Sequence, residues 1–321
     1  MTSAPFELSD PRFEKREYGA INRFFLKFIR DERDLPFMHL ILVATFTLVP
    51  ATVYLFWPGN YRWWLGALYL VFNLALLFGR FILMLHNTSH RSLFKRQYRL
   101  LNYYIPWVLG PFFGETPDTY YVHHVTMHHA ENNLDGDLSG TMRFQRDNPF
   151  HFFRYWFRFF TIGLVELAAY QWKRRRVNFI QRMVAGELGF YVLVVVLAFV
   201  NLPATFTVFI FPFLFARFIM MAGNWGQHAF IDRTDPGNSM KNSITCINTP
   251  YNKQRDLHYE LYKTNTLPID SFCHGFLLSH GSISHLIIFK CRKPLISHKV
   301  ELVNNIITCH ILIHLSLRGK F

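Results

Sequence analysis

The sequence has few cysteines, and none is placed to form a familiar cysteine site. Four occur in 321 residues, far apart and without a CxxC pair: Cys246, Cys273, Cys291 and Cys309. A disulfide framework and a zinc knuckle are therefore not indicated. The zinc-hydrolase motif HExxH is also missing, although Glu131 would offer a general base near the histidines. These absences argue against the common zinc sites.

Acidic residues are scarce as well. The chain has 21 Asp and Glu against 34 Lys and Arg, a formal net charge of +13. Such an excess can indicate nucleic-acid binding, but the basic residues are scattered between apolar segments and no nucleic-acid motif accompanies them. We interpret them as charges that orient membrane spans and face anionic lipid, and we predict no nucleic-acid partner.

Apolar and aromatic residues are abundant: 51% of the chain is hydrophobic and 18% aromatic. This composition is typical of membrane proteins. Four runs approach the roughly 20 residues that a bilayer crossing requires, at about 39–57, 64–85, 183–200 and 204–221. We therefore predict an all-α, polytopic integral membrane protein with four transmembrane helices arranged as two hairpins.

Basic residues collect in the N-terminal segment 1–35 and in the loop 86–182, whereas the two hairpin connections are nearly uncharged. The positive-inside rule places these basic parts in the cytosol, where the loop would form a helical cap. Two shorter apolar stretches of the loop, 101–114 and 153–170, are expected to be interfacial or re-entrant.

Two arginines, Arg80 and Arg217, fall inside the predicted spans. Each lies about two turns before a candidate metal-binding motif. One interpretation is that their side chains reach towards the cytosolic interface. The other is that they pair with carboxylates or lipid phosphate beneath the site. The sequence leaves both open.

Histidines form two clusters beside the predicted spans, HNTSH at 86–90 and HVTMHH at 124–129. On a helix, residues i and i+4 share a face, so each cluster can present two imidazoles to one ion. A further motif, NWGQH at 224–228, follows the last span on the same predicted side. So many histidines without cysteine favour two metal ions over one structural zinc.

The order HxxxH, HxxxHH and then NxxxH on four spans resembles the membrane fatty acid desaturase superfamily, over residues 36–252. The resemblance implies a non-haem di-iron centre that uses O2 to abstract hydrogen from a methylene of an acyl chain. It implies these metal ligands: His86, His90, His124, His128, His129, Asn224 and His228. Asn224 would act through water. A separate electron donor, such as cytochrome b5 or a ferredoxin, and an acyl-lipid or fatty acyl substrate are also implied.

Three polar residues near the second cluster carry open interpretations. His123 lies outside the spacing of the resembled motif and is expected to support the ligands rather than to bind metal. Asp135 and Asp137 follow the cluster in the run ENNLDGD. They form either a solvated turn or carboxylates that orient imidazole N–H groups.

The resemblance breaks after residue 252. The family carries another box, HxxHH or QxxHH, shortly after a segment like 241–252, and no such box follows here. We interpret residues 253–321 as a divergent tail, of the kind that intron read-through, a frameshift or an alternative exon produces. If the tail is authentic, the centre lacks up to three ligands.

Three functions therefore remain open from the sequence. The first is an O2-dependent fatty acyl desaturase, impaired if the missing box matters. The second is a lipid hydroxylase on the same scaffold, and the third is a catalytically inactive membrane isoform. We expect the endoplasmic reticulum with a cytosolic active site, and a bacterial inner membrane also satisfies the topology.

Overall fold

The computed structural model describes residues 17–145, 147–227 and 234–235, and this part of the chain is helical without a β-strand. Nine α-helices follow one another in the described part: α1 Ala20–Phe25, α2 Leu35–Phe56, α3 Trp63–Leu70, α4 Phe78–His90, α5 Thr119–His123, α6 His129–Glu131, α7 Pro149–Lys173, α8 Val177–Thr205 and α9 Phe211–Gln227. Turns of π-helix at Val71–Leu77, His124–His128 and Phe206–Ile210 join α3 to α4, α5 to α6 and α8 to α9. The predicted all-α class is confirmed.

Three helical segments of the described part are long and apolar enough to cross a membrane: Glu32–Phe56, Trp63–His90 and Val177–Gly226. They contain all four predicted runs except Trp57, the last residue of the first run. The third segment has 50 residues, and as one straight helix it would extend about 75 Å, far beyond a bilayer. Its internal contacts show that it is not straight.

The third segment folds back on itself at Asn201, where the backbone leaves helical geometry at φ −158° and ψ 93°. Arg217 on the returning arm donates to Glu187 on the outgoing arm at 2.8 Å. Phe190 and Phe213 stack across the same pair of arms, with ring centroids 5.3 Å apart. The Asn201 amide also donates to the backbone carbonyl of Leu55 at the end of α2. The two arms are therefore antiparallel.

The outer surface of these segments is apolar. Phe199 on α8 is 89% exposed and Phe46 on α2 is 72% exposed, and many other large hydrophobic side chains share this exposure. A water-soluble protein rarely leaves so continuous an apolar surface uncovered. The inward side chains, among them Leu48, Phe78 and Phe81, are fully buried. This distribution fits a bundle whose outside faces lipid.

The two shorter apolar stretches are not candidate spans. The stretch 101–114 winds through short 3-10 and π turns and ends at Gly114, whose φ of 76° is left-handed. A Cβ on Gly114 would stand 2.1 Å from the carbonyl oxygen of Pro212, so the stretch packs directly on the last span. The stretch 153–170 belongs to α7, where Arg158 pairs with Glu166 at 2.5 Å.

The connection into the second histidine cluster packs against α8. A Cβ on Gly186 would lie 1.8 Å from the carbonyl oxygen of Pro117, so only glycine permits this approach. One turn away, Arg182 pairs with Asp118 at 2.8 Å. These contacts fix the start of α5, and therefore the histidines that follow it, relative to the third apolar segment.

Candidate metal centre

The first histidine pair lies in the last turn of α4, which ends where Arg91 becomes extended. His86 and His90 share a face as the i, i+4 spacing predicts, with ring centroids 5.0 Å apart. The residues that precede them are packed inside the bundle, and Phe81 and Met84 have no exposed surface. Apolar packing of α4 therefore sets the direction in which this pair faces.

The second cluster has a different geometry from the one predicted. Its residues form a π-helical turn, His124–His128, between α5 and α6. The wider π turn brings His124 over His129, with their Nε2 atoms 3.0 Å apart, whereas the His124 and His128 rings are 5.8 Å apart. His124 therefore lies nearest to His129, a pair that the i, i+4 spacing did not single out. Single π turns occur frequently at functional sites.

The two clusters meet. One nitrogen from each of His86, His90 and His124 can be chosen so that all lie within 4.8 Å of one another. The His129 ring stands 4.7 Å from that of His90 and 4.4 Å from that of His124. Four of the five predicted histidine ligands in the two clusters therefore surround one small volume.

The imidazoles of His124 and His129 are held neutral. Burial, and after it the neighbouring His86 and His129, lower the pKa of His124 well below its usual value. Burial, followed by repulsion from His128 and His90, lowers the pKa of His129 to about 3. A neutral imidazole offers a nitrogen lone pair, which is the form that binds transition metals. The donor set therefore fits a metal ion.

His128 is oriented by a buried carboxylate. Its Nδ1 donates to Asp137 at 2.6 Å, and Asp137 is only 1% exposed. Burial raises the pKa of Asp137, but attraction to His128 and hydrogen bonds from His128 and Ser139 outweigh it and hold the pKa well below its usual range. The bond fixes the tautomer in which Nε2 carries the lone pair.

This result decides between the two interpretations of the acidic pair. Asp137 is a carboxylate that orients an imidazole, whereas Asp135 is exposed at the surface. The fold of the loop explains the difference. Asn132 and Asn133 adopt left-handed backbone with φ of 52° and 56°, and the Asn133 N–H then donates to the Asp137 carboxylate at 3.1 Å.

The same loop reaches the last helix. The backbone carbonyl of Ser139 accepts from the Asn224 amide at 3.0 Å and from the Tyr155 hydroxyl at 3.2 Å. The Asn224 amide nitrogen also donates to the Tyr155 oxygen at 2.7 Å. Asn224 is therefore tied to the loop that holds Asp137. His228 lies outside the described residues, as does the tail from 253.

His123 faces away from the His86, His90 and His124 group. Burial, followed by repulsion from His128, lowers its pKa to about 3, and its Nε2 has no hydrogen-bond partner among the described residues. It lines a small cavity with Arg143, Tyr155, Arg158 and Glu166, among others. Its ring lies parallel to that of His128 at 6.3 Å.

Arg217 follows the second of its two interpretations, because it pairs with a carboxylate. Its guanidinium donates to Glu187 at 2.8 Å and to the Thr116 hydroxyl at 2.9 Å. Thr116 and Thr119 also donate to the same Glu187 oxygen, at 2.5 and 2.8 Å. Arg80 shows no such pair, and its buried Nε has no partner among the described residues.

Sequence reasoning did not single out several supporting residues. Ser139 and Tyr155 carry the link to Asn224, and Glu187 anchors Arg217. The Tyr120 hydroxyl lies 3.3 Å from His86 Nδ1, and its ring stacks on His124 at 4.9 Å. Only Tyr120 was indicated by the sequence, as one of several aromatic side chains for the wall of an acyl tunnel, and it precedes the second cluster by one helical turn.

Comparison with known proteins identifies one relationship. A sequence model of a family described as fatty acid desaturase matches residues 61–253, which is more than half of the chain. The match covers both histidine clusters and NWGQH at 224–228. No curated protein and no solved structure gives a significant match.

Proposed function

Because this chain belongs to the fatty acid desaturase family, we propose that it inserts a double bond into a fatty acyl chain of a lipid, with two non-haem irons and O2. The observation that carries the proposal is the convergence of His86, His90, His124 and His129 where α4 ends. Family membership implies an oxidoreductase, a lipid substrate and association with a membrane.

The irons would be held by the two histidine clusters together with Asn224 and His228. The donors are neutral imidazole nitrogens, which suit iron. Asn224 would use its side-chain oxygen, since its amide nitrogen already donates to Ser139 and Tyr155. His123 would support the ligands without binding metal. Bound iron would supply the oxidising power that breaks an unactivated C–H bond, which acid–base groups cannot do.

The proposed reaction removes two hydrogens from adjacent methylenes. One O2, two electrons and two protons enter, and one alkene and two waters leave. The chain contributes orientation and exclusion of water. Asp137 holds His128 in one tautomer, Tyr120 covers His124 and contacts His86, and the buried Phe81 and Met84 keep α4 in place below the histidines.

We propose that the polypeptide crosses the membrane four times. The antiparallel arms of Val177–Gly226 would provide two crossings, and Glu32–Phe56 and Trp63–His90 the others. This arrangement puts both histidine clusters and Asn224 at one end of the bundle, which the distribution of basic residues assigns to the cytosol. The endoplasmic reticulum is the proposed location, and a bacterial inner membrane would accept the same topology.

We propose residues 36–252 as the catalytic domain, after the cytosolic segment 1–35, with 253–321 as a divergent tail. The family match ends at residue 253, which supports this division. The missing third box favours a second candidate, an inactive membrane isoform that cannot hold two irons. A hydroxylase shares the same ligands and differs only in the fate of the substrate after hydrogen abstraction.

Product analysis separates these candidates. The protein would be expressed in cells fed a deuterated saturated fatty acid, and the lipids analysed by mass spectrometry beside cells that express the His124→Ala variant. A new alkene that depends on His124 is expected. A hydroxylated lipid without alkene would identify a hydroxylase. No new lipid from the wild-type chain would contradict the desaturase and favour the inactive isoform.

A further inference from the structure

One residue of the loop after the second histidine cluster joins two sets of hydrogen bonds. The Ser139 hydroxyl and backbone N–H both donate to one oxygen of Asp137, at 2.7 and 2.8 Å. The carbonyl of Ser139 accepts from the Tyr155 hydroxyl and from the Asn224 amide. Ser139, Asp137 and Tyr155 are each at most 3% exposed. Because Asp137 orients His128, these three buried residues, here called the polar bridge, connect His128 to Asn224.

The polar bridge fixes which atom of the Asn224 amide can face a metal. A side-chain amide can turn over, which exchanges its nitrogen and its oxygen. The Ser139 carbonyl can only accept, so it binds the amide nitrogen and would repel the oxygen. The Tyr155 hydroxyl donates its single proton to that carbonyl, and its oxygen accepts from the Asn224 nitrogen at 2.7 Å. Both amide hydrogens are then engaged, and the amide oxygen remains for a metal.

The position of the Tyr155 hydroxyl is set by packing. Tyr155 lies on α7, and its ring centroid is 5.3 Å from that of Trp225 on α9 and 5.5 Å from that of Phe144. Phe152 and Met221 belong to the same apolar cluster. A phenylalanine at this position would keep the ring contacts and lose only the hydroxyl. The contribution of the hydroxyl can therefore be measured separately from that of the ring.

The four converging histidines have other supports. Tyr120 stacks on His124 and places its hydroxyl 3.3 Å from His86. The His128 ring is farther from this group, with its centroid 5.8 Å from that of His124 and 5.5 Å from that of His129. A change in the polar bridge should therefore affect an ion bound by His128 more than an ion bound by the four converging histidines.

We propose that Tyr155 is a positioning residue for the metal centre. Through Ser139 it couples the orientation of Asn224 to that of His128. This inference rests on the proposed function, in which both of these residues hold metal. An ion on His128 Nε2 makes the opposite N–H a stronger donor to Asp137, which binds Ser139 more firmly in turn. The Ser139 carbonyl then holds the Asn224 amide ready for metal, so binding at one ligand favours binding at the other.

The test is Tyr155→Phe in the purified full chain, loaded with Co²⁺ in detergent and titrated with a competing chelator. The titration gives the affinity of each ion, and the visible absorption of Co²⁺ reports its ligand geometry. We expect two ions in the wild type, of which the variant binds one about tenfold more weakly and with an altered spectrum. The other ion should keep its affinity and its spectrum.

The matched control is Tyr61→Phe, which also removes a tyrosine hydroxyl. That hydroxyl forms a 2.8 Å hydrogen bond with Thr207 in the third apolar segment, and its loss should leave the binding of both ions unchanged. Equal affinities in the wild type and Tyr155→Phe would overturn the proposal. Equal weakening of both ions together with a lower thermal midpoint would also overturn it, because Tyr155 would then act on stability alone.

A double-mutant cycle tests the coupling itself. Asp137→Asn acts at the His128 end of the polar bridge and Tyr155→Phe at the Asn224 end. The double variant should lose less affinity than the product of the two single losses, because either change alone already loosens Ser139. Losses that simply multiply would show that the two ends act independently, and would overturn the coupling.

A second variant decides the matter if Tyr155→Phe does not fold. Ser139→Ala removes the hydroxyl that donates to Asp137 but keeps the carbonyl that holds Asn224. We expect it to bind one ion about threefold more weakly and the other like the wild type. Unchanged affinity for both ions would overturn the proposal.

The outcomes also separate this proposal from the proposed function. Two ions with the expected weakening, but no lipid product from the reduced iron form of the wild type with O2, would reject the desaturase and leave the role of Tyr155 standing. Two ions with equal affinities in the variant, beside a new alkene, would reject the role of Tyr155 alone. Fewer than two ions in the wild type would overturn both.

Discussion

The two histidine clusters are held in place by different forces. His86 and His90 end a helix whose preceding residues are packed among apolar side chains, so the direction of that pair follows from the packing of the bundle. His128 lies outside the apolar segments and takes its orientation from the Asp137 carboxylate, which a loop of hydrogen bonds holds in turn. A shared centre thus depends on packing on one side and polar contacts on the other.

The comparison shows which substitutions each half of the candidate metal centre tolerates. The first half is His86 and His90, and the second is the cluster from His124 to His129. Where packing sets the geometry, the stability lost on substitution depends on the change in side-chain volume. Where hydrogen bonds set it, a change that preserves volume but removes charge is the damaging one. Variants that separate volume from charge can therefore test the difference.

The largest effect is expected where the two halves meet. His124→Ala should lower metal affinity more than about 100-fold and abolish lipid oxidation, because His124 contacts the rings of both clusters. His123→Ala, its neighbour, should retain most of the metal, since His123 faces the other way. Metal analysis of both purified variants checks this. Equal loss in both would contradict the placement of His123.

The close approach of Gly186 to the Pro117 carbonyl can test whether the second half of the centre also depends on packing. Gly186→Ala would push a methyl group into the Pro117 carbonyl and should destabilise the protein by about 1–3 kcal/mol. Gly189→Ala, on the same helix, has open space and should be neutral or slightly stabilising. Thermal unfolding in detergent measures both. Similar midpoints for the two variants would show that α8 does not press on Pro117.

The polar support is tested by a change of charge without a change of volume. Asp137→Asn should weaken metal binding about 10- to 100-fold, because the amide cannot stabilise the required His128 tautomer as a carboxylate does. Asp135→Asn, two residues away and exposed, should bind metal like the wild type. Competition titration with a chelator gives the affinities. A large loss in the Asp135 variant instead would remove the special role of Asp137.

The smallest effect is expected at the contact between the halves. The Tyr120 hydroxyl is 3.3 Å from His86, a long hydrogen bond, while its ring stacks on His124. Tyr120→Phe keeps the ring and should reduce metal affinity less than about tenfold. Tyr121→Phe is the control and should have no effect. A loss as large as that of Asp137→Asn would mean that the first half also relies on polar support.

The apolar segments could be predicted from the sequence because membrane insertion depends on composition over a long window. The runs 39–57 and 64–85 fall within Glu32–Phe56 and Trp63–His90, apart from one end residue. The connection between the predicted runs 183–200 and 204–221 coincides with the reversal at Asn201. The family was also evident from the sequence, because its motifs are short, fixed spacings between histidines, an uncommon residue type.

Details of the site could not be predicted because they depend on contacts between distant residues. The π turn that pairs His124 with His129 differs from an α-helix only by a local widening, which residue spacing does not encode. The choice of Asp137 over Asp135 depends on two left-handed asparagines. Arg217 finds Glu187 only after the third segment folds back.

Iron per polypeptide tests the central claim most directly. The full chain would be purified in detergent beside a variant with His128→Ala and His129→Ala together, and iron and protein quantified on the same samples. The account predicts about two irons per chain in the wild type and almost none in the variant. One iron or none in the wild type would contradict a di-iron desaturase and identify an inactive member of the family.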